Sequence, residues 1–251
     1  GAANRSLDVK STESNQTLSK ATIDRIPVIK DVTAVTLLAP GAVEGDGRIG
    51  QTGSRGGNVP SLGGASPAEN AYYINGFNVT NIVNGVAFNQ IPFEAIAEHQ
   101  VKTGGYGAEY GRSLGGVISV NTKRGTNEFK GGISASYAPE AWRGSSVYSE
   151  KNAAGEWELK FRAGGTTETK INVWGSGALI KDELFFFGIV EGNNKSSSTF
   201  GSDLQTDLTN SSPNYLVKLD WNVTKSNLLE ITAFSDKTTD NINTFRSPSK
   251  Y

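Results

Sequence analysis

From about residue 126 to residue 233, apolar side chains recur at every second position, and that period restricts the possible folds more than any other feature. Phe129, Gly131, Ile133, Ala135 and Tyr137 alternate with Lys130, Gly132, Ser134 and Ser136. Ile171, Val173, Gly175, Gly177 and Leu179 form a weaker series, and residues 184–190 are almost wholly apolar. Tyr215, Val217, Leu219, Trp221 and Val223 alternate with Lys218, Asp220 and Asn222, and Leu229, Ile231 and Ala233 alternate with Glu230 and Thr232. Successive side chains of a strand point to opposite faces, so these segments read as about five strands of roughly ten residues, apolar on one face and polar on the other. Two connections are short, Lys181-Asp182-Glu183 and residues 224–227, while residues 139–168 and 195–213 are long and polar. Short and long loops in alternation are the pattern of an outer-membrane barrel. Tyr137, Phe185 and Tyr215 at strand ends would suit its interfacial aromatic girdles. A soluble β-sandwich also alternates and stands as the rival on pattern alone. Five strands leave open edges and an uncovered apolar face, so partner strands are expected from sequence beyond Tyr251.

Composition is compatible with this pattern once the polar face is counted. The chain has 251 residues, a net charge of −1, 36% hydrophobic residues and 30 glycines. That balance argues against a nucleic-acid binder that works by phosphate neutralisation. The absence of Cys excludes thiolate metal sites, disulfides and Cys nucleophiles, and a single His excludes His-rich metal sites, so no cofactor is expected. No apolar run is long enough for a transmembrane helix. The opening Gly1-Ala2-Ala3-Asn4-Arg5 has no signal-peptide core, and the end shows no closing signal, so a fragment is expected.

Residues 1–125 follow a different rule, mixing short helical and strand patterns between Gly-rich loops. Residues 21–26 read as a helix stopped by Pro27; Val32, Val35 and Leu38 share helical spacing; and Pro92 opens a third helix with Phe93 and Ile96 on one face. Strands are expected at 7–9, 71–74, 99–102 and 116–121, giving a small mixed α+β domain with a four-strand core. Residues 45–64 read as loop throughout.

The densest motif is Gly104-Gly105-Tyr106-Gly107-Ala108-Glu109-Tyr110-Gly111-Arg112-Ser113-Leu114-Gly115-Gly116-Val117-Ile118, followed by Thr122-Lys123-Arg124. Physically it is strand, Gly-rich turn and strand, with glycines where backbones approach closely or turn at positive φ. It resembles the end of the plug domain of TonB-dependent outer-membrane receptors. Upstream, Tyr72-Tyr73-Ile74-Asn75-Gly76 resembles that family's apolar strand ending in an Asn-Gly turn, and Ser54-Arg55-Gly56 a degenerate form of its Arg-Gly step. Leu37-Leu38-Ala39-Pro40-Gly41, Phe93-Glu94-Ala95-Ile96 and Lys181-Asp182-Glu183-Leu184-Phe185-Phe186-Phe187-Gly188 are most similar to its Oar-like (OmpA-related) subgroup. The resemblance implies a plug at 1–125 and the first strands of a 22-strand-type transmembrane barrel at 126–251. It implies a Gram-negative outer-membrane location, contact with its lipid, and transport gated by the plug. The inner-membrane protein TonB would act through a box expected before Gly1. Asn75, Gly76, Gly104, Gly105, Tyr110, Gly111, Gly115, Gly116 and Lys123 carry the plug motif. The substrate stays open, with peptide and whole protein among the candidates.

Other features weigh less. Gly45-Asp46-Gly47-Arg48-Ile49-Gly50 matches a dinucleotide fingerprint, but no helix follows to hold a pyrophosphate. His99 lies in a strand without a serine elbow, and Asp182-Glu183 reads as solvated turn charge, so no catalytic constellation is present and an enzyme is not expected. In the family, plug arginines pair with inward barrel carboxylates; Arg55, Arg112 and Arg124 are the candidates here, with Asp220 or Glu230 as partners, and solvated loop charge is the alternative. Trp142, Tyr148 and Trp157 could form a ligand surface or a barrel rim. An outer-membrane adhesion, binding or docking platform is the competing function.

Overall fold

A computed structural model describes residues 14–26, 30–45, 59–81, 88–111, 113–142, 146–152, 154–162, 165–200 and 204–246. The chain divides into two compact units, Gly1–Lys123 and Arg124–Tyr251. Among the described residues, no helix is long and apolar enough to cross a membrane.

The first unit contains β1 (Ser14–Ser19), α1 (Lys20–Ile23), α2 (Val32–Thr36), β2 (Ala42–Glu44), β3 (Pro60–Leu62), β4 (Ala71–Ile74), β5 (Phe77–Asn78), β6 (Ile96–Gly104) and β7 (Val117–Thr122). Its main sheet runs β1-β6-β7-β4-β5, with β4 parallel to β7 and the other pairs antiparallel. Val35, Leu62, Tyr72, Ile96, Val101, Val117 and Ile118 are buried and form the core. Each helix starts on a side-chain cap, which satisfies amides that the first turn leaves free. Ser19 accepts from Thr22 N at 3.3 Å, and Asp31 accepts from Thr33 N at 2.8 Å and Ala34 N at 3.2 Å.

Several expectations change here. Among the described residues the sheet has five strands rather than four, because Ser14–Ser19 pairs with β6 and Phe77–Asn78 with β4; the expected strand at 7–9 lies outside the described residues. Leu38 falls beyond α2, in a turn. The helix expected after Pro92 is only a 3-10 turn, Phe93–Ala95, and Ile96 already starts β6. The stretch 45–64 is not all loop: β3 pairs with β2, and Val59 and Leu62 are anchored in the core.

The second unit contains β8 (Lys130–Ala138), β9 (Ser146–Lys151), β10 (Trp157–Arg162), β11 (Thr166–Ile180), β12 (Leu184–Phe200), β13 (Leu204–Thr224), β14 (Asn227–Ser235) and β15 (Thr239–Arg246). An antiparallel sheet runs β14-β13-β12-β11-β8, with β15 also on β13, while β9 and β10 form a separate hairpin. Register puts Ile133, Val173, Val190 and Tyr215 in one row. Together with Val217, Trp221, Val223, Leu229 and Ile231, they leave an exposed apolar face. The other face carries Asn172, Ser176, Glu191, Asn214, Lys218 and Asp220, all buried.

The long polar connection expected at 195–213 is mostly strand. β12 and β13 stay paired from Leu184↔Trp221 out to Phe200↔Gln205, so polar residues continue the ladder past the apolar band. The connection at 139–168 likewise contains the β9–β10 hairpin. Tyr137 and Tyr215 are exposed, as a girdle requires, but Phe185 is not. It pairs with Asp220 and shares the polar face, because an apolar run puts half of its residues on each side.

Candidate functional site

The plug-like motif folds as a strand-turn-strand around a set of backbone-directed hydrogen bonds. β6 ends at Gly104, and Gly105 just after it has a φ of 68°, in the left-handed region. The Tyr106 hydroxyl donates to Gly115 O at 3.0 Å, and Ser113 Oγ donates to Gly116 O at 2.9 Å. Asn70 joins this turn to β3: its Nδ2 donates to Pro60 O at 2.6 Å and its Oδ1 accepts from Gly116 N at 3.0 Å. A Cβ on Gly116 would lie 2.1 Å from Leu62 Cδ1, and one on Gly115 would lie 2.8 Å from Asn70 Oδ1. Both glycines are therefore required by close approach. Tyr110 stands edge-on to Tyr73 and Tyr106, with Lys102 Nζ 4.6 Å from its ring centre.

The Asn75-Gly76 turn joins β4 to β5, both residues at positive φ (48° and 81°). Asn75 Oδ1 accepts from Thr122 N at 2.9 Å and Asn75 Nδ2 donates to Thr122 Oγ1 at 2.9 Å, tying this turn to the end of β7. Next along the chain, Lys123 N donates to Ala95 O at 2.8 Å. Burial, followed by the charge of Lys20, pulls the Lys123 ammonium below its ordinary value. Lys20 and Lys30 flank Glu94 at 3.2 and 3.0 Å. Burial acts to raise the Glu94 carboxyl, but the Lys30 hydrogen bond and the two lysine charges prevail and lower it. Burial also pushes His99 down to about 4, so it is neutral at pH 7, with Thr36 Oγ1 3.2 Å from its Nε2.

On the polar face of the second unit, Lys218 Nζ lies 3.4 Å from Asp220 and 3.1 Å from Glu230. Asp220 is fully buried. Arg124 Nε comes within 4.0 Å of the second Asp220 oxygen, and its guanidinium lies 5.8 Å from the Phe185 ring centre. Among the described residues there is no cluster of three His, Cys, Asp or Glu that could hold a metal.

Residues 8–117 match the family TonB-dependent Receptor Plug Domain. Over these residues the chain is similar to the plug of a TonB-dependent receptor. It is 28% identical over 199 residues to the TonB-dependent transporter Oar of Myxococcus xanthus, a match covering 72% of this chain and 17% of that protein. Among solved structures it resembles the siderophore receptor PirA of Acinetobacter baumannii, with a TM-score of 0.61 and 22% identity, over 90% of this chain and 32% of that one. The ferric enterobactin receptor PfeA of Pseudomonas aeruginosa gives a TM-score of 0.58 at 18% identity, over 90% and 33%. The chain thus spans about a third of the solved receptors it resembles and less of the curated relative. The receptors that carry such a plug are outer-membrane proteins.

The candidates read from the sequence fare differently in the structure. Arg124, Asp220 and Glu230 come together in one cluster, but Lys218 at its centre was not singled out from the sequence. Its position between Val217 and Leu219, beside Asp220, was the available signal. Arg124 belongs to the same compact unit as its two carboxylates. Arg55 and Arg112 lie outside the described residues, as does most of the Gly45–Gly50 run. The three aromatics do not form one described surface: Trp142 is exposed in a 3-10 turn beside Tyr137, while Tyr148 and Trp157 occupy rungs of β9–β10 opposite Lys160 and Lys151. Tyr106 lies within the Gly-rich motif without having been singled out, and Asn70, which also holds that turn, carried no distinctive signal.

Proposed function

We propose that this chain is the plug and first barrel strands, at 1–125 and 126–251, of a gated outer-membrane transporter. Force transmitted by TonB from the inner membrane would remodel the plug and let substrate cross, without covalent chemistry. One observation carries this reading: a plug-family domain is followed directly by antiparallel strands that hide polar residues and expose an apolar face. Water disfavours such a face, whereas hydrocarbon accepts it. Arg55 and Arg112 would help to retain the plug through inward carboxylates such as Asp220 and Glu230, which Arg124 and Lys218 already flank within their own unit. The solved relatives named for siderophores make that class one candidate substrate, beside peptides and whole proteins. The test is transport by the full-length protein with and without the inner-membrane energising complex. Transport should cease when the complex is deleted; undiminished transport would overturn the gated mechanism.

A second reading, an adhesion or docking platform, draws on the polar strand arms of β12, β13 and β15. Surface binding that survives loss of the energising complex, with no transport in either background, would select it.

A further inference from the structure

One row of the second unit's polar face places Asn172, Glu191 and Asn214 side by side on β11, β12 and β13. Asn193 stands in the next row of β12, between Lys170 and Ser212. Glu191 is 7% exposed and Asn172 and Asn214 are equally buried. The Glu191 carboxylate accepts one hydrogen bond, from Asn214 Nδ2 at 3.2 Å. Among the described residues no Lys or Arg pairs with it: Lys170 is held by Glu168 at 3.0 Å, and Lys218 by Asp220 and Glu230. The Oδ1 atoms of Asn172, Asn193 and Asn214 are all buried and accept no hydrogen bond. The neighbourhood therefore holds one uncompensated carboxylate and three idle amide oxygens, an excess of acceptors that buried polar groups seldom tolerate.

A cation resolves both deficits at once. Carboxylate and amide oxygens together are the ligand set of a hard metal ion, and same-face neighbours on paired strands stand about 5 Å apart at Cβ. Asn172 and Asn214 flank Glu191 from either side, about 10 Å apart at Cβ, and reach one ion above Glu191 at about 2.4 Å once the Asn214 amide turns its oxygen inward in place of Nδ2. We infer that Glu191, Asn172 and Asn214, with Asn193 beside them, form a Ca²⁺ site on the polar face of the β11–β13 sheet. Calcium suits it better than magnesium, since it accepts irregular coordination by neutral carbonyls whereas magnesium demands a near-ideal octahedron. A single carboxylate sets the affinity in the weak class, with Kd of about 10⁻⁴ to 10⁻³ M.

The test is calorimetric titration of the full-length protein in detergent, after removal of divalent ions, with CaCl₂ and MgCl₂ in parallel. Calcium should bind at that affinity and magnesium roughly tenfold more weakly or not at all. Glu191→Gln should reduce calcium affinity at least tenfold and Asn172→Ala severalfold, with heat-modifiable gel mobility retained to show an intact barrel. If Glu191→Gln fails to fold, Asn172→Ala decides alone. No calcium binding, or binding unchanged in the variants and hence attributable to residual lipid, would overturn the site.

Discussion

At Gly116 the missing side chain is itself the structural requirement. Leu62 is fully buried where a Cβ would intrude, so Gly116→Ala must displace it from a packed core. Overpacking of this kind costs about 1–3 kcal/mol, and limited proteolysis of the full-length protein should detect a plug that opens more readily. Lys218 makes the opposite kind of demand. Lys218→Met leaves Asp220 buried beside only a distant Arg124, and breaking such a pair costs about 3–5 kcal/mol. Lys218→Met with Asp220→Leu should recover much of that loss, which a double-mutant cycle of denaturant midpoints would measure. His99 gives a pH dependence. Its folded value of about 4 lies below the ordinary 6.5, so the unfolded chain takes up the proton first as pH falls. Stability should be level above pH 6.5 and decline between 6.5 and 4, by roughly 3 kcal/mol in total. His99→Gln should flatten that decline in a series of unfolding curves. The glycines and Asn75 were legible because their roles depend on backbone conformation and close approach, which residue type reveals. Asn70 was not, since an asparagine that fastens two loops looks like any loop asparagine until both loops are placed.

Among the elements, β13 is the most informative because one strand crosses two environments. Tyr215 to Val223 supply the apolar face, whereas Gln205 to Ser211 continue the same ladder with side chains that are polar apart from Leu208. Val217→Lys should therefore cost about 2–4 kcal/mol at the depth of the bilayer midplane. Thr209→Lys, on the same side of the same strand, should fall within about 0.5 kcal/mol. Unfolding curves followed by gel mobility would give the contrast, and equal costs would refute the division of β13 into membrane and extramembrane parts. Period-two alternation located β8, β11, β13 and β14 in the sequence, because alternation records an environment that differs between the two faces, while β12 was found as an unbroken apolar run. The arms carry no such contrast, with both faces polar, and so they read as loop. The same logic explains Phe185, since a run without alternation assigns no face to its members.

For the molecule as a whole, exposed apolar area is the dominant physical fact. Among the described strands of the main sheet, β8 and β14 each have a neighbour on one side only, and the apolar face has no cover. The 251-residue polypeptide expressed by itself should associate in detergent-free buffer and disperse when detergent covers that face. Analytical ultracentrifugation in both conditions checks this, and a monodisperse species in plain buffer would contradict a lipid-facing surface. The height of the β13–β15 ladder adds a geometric consequence. Its eight residues of β15, rising about 3.3 Å each, amount to some 26 Å of strand, close to the thickness of a bilayer's hydrocarbon core. In the proposed transporter, an arm of that length would reach past the lipid headgroups even when it leans at a barrel's usual tilt. A solute arriving from outside would then meet hydroxyls and amides of this wall well before it reached the plane of the membrane.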